Sequence, residues 1–311
     1  MKYYFGPMEG ITNRVYRQTH RKYFPGPAKY YAPFLSPTRD FRFTPRLLQE
    51  LLPELPEAVP LVPQLLVNSA EQFSPAAAEL AAMGFREVNL NLGCPSRTVT
   101  AKRKGAGLLR DPEALDRLLD EIFNRAGGLE ISVKTRMGLN SPEEFDALLT
   151  VFNRYPIHEL TVHARVQADY YSRPADPAAL CRRASENRAP LCYSGDVFTP
   201  EDASRIRELL PQAEAIMLAR GLAAEPALAG MLQGTPPPPL SVYRAFHDEL
   251  LEGYRAAGWD RRAILCHMKE IWALMGARFR MDSRLQKRLR KAATPEEYRD
   301  TVNAIFAGAA P

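Results

Sequence analysis

Long hydrophobic runs and closely spaced cysteines are both missing from this sequence of 311 residues. No apolar stretch approaches the ~20 residues that a membrane-spanning helix needs, which excludes a helical membrane protein. The four cysteines, Cys94, Cys181, Cys192 and Cys266, have neither CxxC spacing nor the density of a disulfide or zinc framework. A signal-peptide pattern is also missing at the first residues. We therefore expect a soluble, cytoplasmic protein that binds no metal.

Apolar residues are plentiful, at 46% of the chain, so there is enough material for a large core.

The basic and acidic residues are unevenly distributed along the chain. The formal net charge is +5, and residues 240–311 contribute thirteen Lys and Arg against nine Asp and Glu. Between residues 278 and 291, seven basic residues stand against one acid, Asp282. This density suits a polyanionic partner, and it is equally typical of a solvated helix face.

Short apolar runs alternate with longer helical stretches along the first three quarters of the chain. The runs predict strands at residues 3–7, 29–34, 61–66, 87–92, 130–135, 159–164, 190–194 and 215–219. Because they are continuous rather than alternating, they indicate parallel strands covered on both faces. Four cap-and-proline pairs predict helix starts, at Ser74-Pro75, Asp111-Pro112, Ser141-Pro142 and Thr199-Pro200.

Eight strand-and-helix units predict a closed (β/α)8 TIM barrel over residues 1–235. The alternative, a doubly wound open sheet, would show a glycine-rich turn after its first strand, and Pro7-Met8-Glu9-Gly10 is not such a turn. Four consecutive prolines at 236–239 mark a domain boundary. Beyond them the sequence predicts only helices, at 242–257, 261–275, 283–292 and 295–307, which form a small α-helical bundle domain over residues 240–311.

Polar residues follow the predicted strands at the end where such barrels carry their active sites. The strand-end residues are Gln64, Asn91, Cys94, Lys134, Arg136, His163, Arg165, Gly195, Asp196, Arg220 and Gly221. Six strand ends with this character predict one shared site. The last four residues follow strands seven and eight, where glycines and an arginine suit a phosphate group.

The segment from 93 to 110 shows no obvious helix or strand and is much longer than a typical βα loop of ~2–6 residues. Its second residue is Cys94, a thiol that can act as a nucleophile or a proton donor, or serve as a small buried hydrophobe. We expect the other three cysteines to be of that buried kind. A hydrolytic Cys94–His163 pair and a Schiff base at Lys134 are further alternatives. Arg136 and His163 near Lys134 favour a cationic cluster beside an electron-rich ring.

A set of ordered motifs resembles the tRNA-dihydrouridine synthase family over essentially the whole chain. The motifs are Pro-Met-Glu-Gly at 7–10, Asn-Leu-Asn-Leu-Gly-Cys-Pro-Ser at 89–96, Lys-Gly-Ala-Gly at 104–107, Val-Lys-Thr-Arg at 133–136, Val-His-Ala-Arg at 162–165, Gly-Asp at 195–196 and Ala-Arg-Gly at 219–221. Ser194, Ala219 and Gly6 depart from the usual family residues, which affects phosphate-loop or packing detail. The resemblance implies an FMN enzyme that reduces uridines in tRNA to 5,6-dihydrouridine, with NADPH or NADH as the reductant.

The resemblance also implies a role for each matching residue. Flavin contacts would come from Pro7, Met8, Gln64, Lys134 and His163. The flavin phosphate would be held by Gly195, Asp196, Arg220 and Gly221. Uracil would be oriented by Asn91, Arg136 and Tyr171 with Arg165 nearby, and Cys94 would donate a proton to C5. A monomer is expected, with the basic helical domain binding tRNA.

Two other functions remain open at this point. One is an FMN barrel oxidoreductase that acts on a free pyrimidine or an enone. The other is a flavin- or RNA-binding protein without turnover, which would bind tRNA with a steep salt dependence and leave reduced flavin unreacted.

Overall fold

The computed structural model describes residues 1–37, 44–51, 59–279 and 281–308. Arg280, one of the seven basic residues noted above, lies outside the described residues. The strands are β1 Lys2–Phe5, β2 Lys29–Tyr31, β3 Leu61–Val62, β4 Gln64–Leu65, β5 Glu87–Leu92, β6 Glu130–Arg136, β7 Leu160–His163, β8 Leu191–Ser194 and β9 Ala213–Leu218. All of the strand pairs are parallel.

Fourteen α-helices are described. They are α1 Arg14–Tyr23, α2 Pro45–Leu51, α3 Ala70–Ala82, α4 Arg97–Thr100, α5 Pro112–Asn124, α6 Glu144–Phe152, α7 Pro177–Ala184, α8 Pro200–Leu209, α9 Arg220–Ala224, α10 Leu228–Met231, α11 Leu240–Ala256, α12 Arg261–Met275, α13 Ser283–Lys291 and α14 Pro295–Gly308. Short 3₁₀ helices cover Gly105–Arg110, Gln167–Asp169 and Gly276–Phe279. No helix in the described ranges is long and apolar enough to cross a membrane.

The sheet closes on itself through the third predicted strand. The strand order is β3-β2-β1-β9-β8-β7-β6-β5-β4. Its two terminal segments, β3 and β4, are separated only by Pro63, which has no N–H to donate. One half pairs with β2 and the other with β5, and the Leu35 N–H bonds the Gln64 carbonyl at 2.7 Å. The (β/α)8 barrel is therefore confirmed, with one strand counted as two.

Two of the predicted helix starts are confirmed. Helix α5 begins at Pro112, and the Asp111 carboxylate accepts a hydrogen bond from the Ala114 N–H at 3.0 Å. Helix α8 begins at Pro200. An acceptor side chain before a proline thus fixes a helix start where no tertiary contact opposes it.

The other two predicted starts are wrong. Helix α3 begins at Ala70, five residues before Pro75, because Ala70 and Phe73 are fully buried and this burial stabilises an earlier turn. Helix α6 begins at Glu144, whose carboxylate accepts hydrogen bonds from the N–H groups of Leu139 and Ser141. Those bonds hold the preceding residues in a turn rather than in the helix.

The chain packs as two compact units. The barrel unit comprises Met1–Pro7, Ala28–Val197 and Glu201–Leu218. The helical unit comprises Met8–Pro27, Phe198–Pro200 and the chain from Ala219 onward. Residues 8–27 and 219–235, which the sequence places in the barrel domain, thus group with the C-terminal helices. A domain boundary at 235–240 stays a prediction.

The helical unit has an aromatic core between α1 and α11. Phe24 lies 5.0 Å from Phe246 and 5.4 Å from Tyr243, measured between ring centroids. The His20 Nε2 atom bonds the Pro226 carbonyl at 2.9 Å. Only helices follow the four prolines in the described residues, as the sequence predicts.

Candidate active site

The loop after β5 holds Cys94 by hydrogen bonds at both of its backbone polar groups. The Asn91 Oδ1 atom accepts from the N–H groups of Gly93 at 3.1 Å and Cys94 at 2.9 Å. The Ala106 N–H donates to the Cys94 carbonyl at 3.0 Å. The segment is therefore not the irregular loop that we expected, because it folds into α4 and a 3₁₀ helix. The thiol is half-buried.

Two glycines allow this loop to fold back on itself. Gly105 has φ +55°, and a Cβ there would lie 2.8 Å from the Cys94 carbonyl oxygen. At Gly107 a Cβ would lie 2.7 Å from the Thr100 carbonyl oxygen. Both contacts are closer than side chains tolerate, so the Gly-Ala-Gly motif is a steric requirement for the position of Cys94.

A ladder of side-chain amides crosses the barrel interior below this loop. Asn91 Nδ2 donates to Gln64 Oε1 at 2.7 Å, and Gln64 Nε2 donates to Asn89 Oδ1 at 2.8 Å. Asn89 Nδ2 donates in turn to Ser132 Oγ at 2.9 Å. The sequence reasoning missed Asn89 and Ser132. The spacing of Asn89 and Asn91 on one strand face is the signal that could have found the first of them.

Lys134 on β6 is a half-buried ammonium. Loss of hydration, together with the neighbouring charge of Arg136, lowers the pKa of Lys134 to about 8. Cys94 and Cys192 lie close enough that their thiolate forms would raise that pKa. Within the described part of the chain, the Lys134 ammonium has no hydrogen-bond or ion-pair partner, although its backbone pairs in the sheet. Its donors therefore fit an acceptor-rich ring, such as the pyrimidine edge of a flavin.

Arg136 lies at the end of β6 and is 1% exposed. Its guanidinium donates to three backbone carbonyls, those of Gly93, Val166 and Tyr170. Tyr171 covers it, with the ring centroid 5.4 Å from the guanidinium carbon. The predicted contact of Arg136 with uracil stays a prediction.

His163 and Arg165, at the end of β7, form a second polar group. Arg165 Nη1 donates to His163 Nε2 at 3.0 Å, because a guanidinium can only donate. Arg165 Nη2 also bonds the Asp196 carboxylate, which accepts from the Ala175 N–H at 3.0 Å. The Asp196 side chain is thus engaged by an arginine, and its backbone is the part that suits a phosphate.

Tyr171 is the exposed member of this cluster, with 56% of its surface accessible. Its ring centroid lies 5.9 Å from the Arg165 guanidinium and 6.0 Å from the His163 ring. An exposed ring held between cations is suited to contact a flat, electron-rich base.

The predicted phosphate residues are divided between the two units. Gly195 belongs to the barrel unit, and a Cβ there would lie 2.1 Å from the Tyr193 hydroxyl, so a larger residue would displace the buried Tyr193 ring. Arg220 and Gly221 begin α9 in the helical unit, where the Arg220 guanidinium lies 5.8 Å from the Phe198 ring centroid.

Pro7 and Met8 follow β1. Pro7 belongs to the barrel unit and Met8 to the helical unit. The Met8 N–H donates to the Thr12 hydroxyl at 2.8 Å. The flavin roles predicted for both residues stay predictions.

Of the other cysteines, Cys192 is buried in β8, as expected, and burial raises the pKa of its thiol. Cys181 is half-buried, and its Sγ donates to the Leu209 carbonyl at 3.0 Å. Cys266 is exposed on α12, so the prediction of a buried residue is wrong there. The location of Cys266 in a helical stretch did not show whether its side chain faces the core or solvent.

Solved structures confirm the barrel architecture. Morphinone reductase superposes with a TM-score of 0.52 at 12% identity, over 78% of this chain and 88% of that structure. A variant of NCR from Zymomonas mobilis superposes with a TM-score of 0.52 at 14% identity, over 76% of this chain and 88% of that structure. At these identities the likeness concerns the fold alone.

Sequence relatives carry more specific information. A tRNA-dihydrouridine(16) synthase of Pseudomonas putida is 30% identical over 240 residues, which is 73% of this chain and 72% of the relative. One from Pseudomonas syringae is 34% identical over 173 residues, 55% of this chain and 54% of the relative. The model of the family Dihydrouridine synthase (Dus) matches residues 4–309. This chain, with its half-buried thiol beside a cationic barrel interior, belongs to the dihydrouridine synthase family.

Proposed function

We propose that this protein reduces uridine in tRNA to 5,6-dihydrouridine, with FMN as its cofactor and NADPH or NADH as the reductant. The observation that carries this proposal is the placement of Cys94. Asn91 and the Gly105 turn fix its backbone, and the Lys134 ammonium lies within electrostatic reach of the thiol. A proton donor and a cation then serve the same ligand.

FMN, when bound, supplies the hydride that uracil receives at C6. In the barrel unit, Gln64, Lys134 and His163 would contact its ring, and the Gly195 loop would take its phosphate. Lys134 stabilises negative charge on any acceptor beside it, because its ammonium is poorly hydrated and bonds to none of the described residues. Pro7, Met8, Asp196, Arg220 and Gly221 complete the proposed cofactor set.

Cys94 would complete the reduction as a general acid. Hydride addition at C6 leaves negative charge over C5 and O4, so a proton must reach C5. A thiol releases a proton near neutral pH far more readily than the Asn91 amide or the Arg136 guanidinium. Asn91, Arg136, Arg165 and Tyr171 would then bind and orient the base.

The helical unit offers a surface for tRNA. A groove of about 430 Å³ between α13 and α14 is lined by four basic side chains and two acidic ones. These residues are Arg284, Lys287, Arg288, Lys291, Glu297 and Asp300. The excess of cations supports binding to the phosphate backbone.

The names of the relatives support a specific target, the uridine at position 16 of tRNA. Dihydrouridine mapping in cells that lack the gene should show loss at this position, and return of the gene should restore it. Loss at a different position would contradict this assignment without affecting the reaction itself.

Cys94→Ala tests the acid role. We expect the variant to retain FMN and to lose dihydrouridine formation on unmodified tRNA by at least about 100-fold. Cys266→Ala is the matched control, since that thiol is exposed on α12. Its rate of dihydrouridine formation should equal that of the parent. Turnover by Cys94→Ala at the parent rate would refute the acid role. Purified protein that does not bind FMN would refute the flavin mechanism. Reduction of free uracil compounds without RNA would favour an oxidoreductase that acts on small molecules.

A further inference from the structure

Arg136 holds its guanidinium in an unusual setting for a buried charge. Its Nε donates to the Gly93 carbonyl at 3.0 Å, Nη1 to the Val166 carbonyl at 2.8 Å and Nη2 to the Tyr170 carbonyl at 3.0 Å. None of these acceptors is a carboxylate. Burial accordingly lowers the pKa of Arg136.

The three carbonyls belong to two different loops. Gly93 precedes Cys94 in the loop after β5. Val166 and Tyr170 flank the 3₁₀ turn Gln167–Asp169 in the loop after β7, directly before Tyr171. One side chain on β6 therefore bridges the loop that carries the thiol and the loop that carries the exposed aromatic ring.

The second loop contains a strained residue at the point of attachment. Tyr170 has φ +48° and ψ −98°, a backbone conformation that a bulky side chain rarely adopts. Its N–H donates to the Gln167 carbonyl and its carbonyl accepts from Arg136, so both backbone groups are fixed. The Tyr171 ring then lies over the same guanidinium.

Only arginine can make this connection. Its donors are fixed in one plane and diverge, so they reach carbonyls on separate sides, whereas a lysine ammonium acts as a single point. The Arg136 side chain hydrogen-bonds to backbone in both loops.

We propose that Arg136 is a positioning residue that ties the Cys94 loop to the Tyr170–Tyr171 loop and sets the distance between the thiol and the aromatic ring. Movement of either loop is passed to the other through the guanidinium. Its effect on turnover rests on the proposed function of Cys94, whereas its effect on the two loops does not.

Arg136→Lys tests whether Arg136 connects the two loops, with Arg183→Lys as the matched control. Arg183 is also buried, and its guanidinium bonds Asp146 and the Ala179 carbonyl on the outer helices. Amide hydrogen exchange is the first readout and needs no RNA. In Arg136→Lys we expect exchange to rise at least about tenfold in both residues 93–107 and 166–172, with the α5 amides unchanged. Arg183→Lys should leave both loops at the parent rate.

Iodoacetamide labelling of Cys94 and steady-state kinetics complete the test. Labelling should change several-fold in Arg136→Lys, and kcat on tRNA should fall on the order of 10- to 100-fold with little change in KM. Exchange that stays at parent rates in either loop would overturn the tie. A raised KM with unchanged kcat and parent exchange rates would overturn the positioning role and leave Arg136 with only the base contact of the proposed function. If Arg136→Lys does not fold, Arg136→Gln provides the same readouts with a neutral donor.

Discussion

At the scale of single residues, two of the three cations at the ends of β6 and β7 have no carboxylate bonded to them among the described residues. Arg136 is satisfied by backbone carbonyls, and Lys134 has no partner among the described residues. Arg165 alone of the three is paired with a carboxylate, that of Asp196. Net positive charge therefore remains at the strand ends, where an anionic or electron-rich ligand would compensate it.

Lys134 should make the cofactor-free protein less stable at neutral pH. Its folded pKa is about 8 and its ordinary value is 10.5, so the unfolded chain binds more protons between these pH values. The free energy of unfolding then rises with pH across that window. Below pH 8 the full penalty applies, about 3 kcal/mol. We expect Lys134→Met to be more stable than the parent at pH 7 by that order.

Urea unfolding from pH 7 to 10 measures this effect as the difference between parent and variant. The difference should shrink as the pH rises through 8 toward 10.5. Lys102→Met is the control, because it removes the same charge from an exposed position in the same region of the chain. A Lys134→Met variant less stable than the parent at pH 7 would contradict the desolvation argument.

At the scale of secondary-structure elements, an irregular strand closes the barrel and an irregular loop positions Cys94. Pro63 divides one strand so that each half pairs with a different neighbour and the barrel closes. The turn at Gly105 brings the Ala106 N–H onto the Cys94 carbonyl. The first feature depends on a proline, which has no backbone N–H, and the second on a glycine, which has no Cβ.

Gly105→Ala should disturb the thiol more than an equivalent change elsewhere. The substitution adds strain at φ +55°, about 1–3 kcal/mol, and a Cβ contact 2.8 Å from the Cys94 carbonyl oxygen. Gly84→Ala is the matched control, because Gly84 has φ +91° and nothing within 4 Å of the added Cβ. We expect both to lower the free energy of unfolding, Gly105→Ala by more.

Only Gly105→Ala should alter the rate of Cys94 alkylation. Equal alkylation rates in both variants would show that Gly105 has no special part in holding the thiol. Urea unfolding separates this local effect from a general loss of stability.

At the scale of the whole molecule, charge is distributed unequally. The net charge is +5, and most of the excess lies after residue 240. Helix α13 concentrates it, with exposed Arg284, Arg288 and Lys291 spaced about one helical turn apart. Under the proposed function, such a stripe would follow a phosphate backbone and the barrel strand ends would hold one base.

Replacing the α13 stripe should weaken tRNA binding and reduce its salt dependence. With Arg284, Arg288 and Lys291 changed together to Gln, the slope of log affinity against log salt should fall by roughly 2–3, at about 0.7–0.9 per phosphate contact. The control is the triple change of Arg182, Arg188 and Arg207 to Gln, which removes the same exposed charge from the barrel unit. Filter binding across salt concentrations measures both. An equal fall in the control would attribute the effect to net charge alone.

The sequence by itself determined the barrel, the helical segment after residue 239 and the strand end on which each polar residue lies. Chain order and apolar periodicity are local properties, and parallel strands place their carboxyl ends together. The start of α5 was also predictable, because Asp111 caps it through a hydrogen bond to a residue only three positions away. Only the tertiary structure decided which carbonyls Arg136 bonds, that Cys266 is exposed and that α3 begins before its proline. Those outcomes depend on burial and on bonds between residues far apart in the chain, which no local spacing encodes.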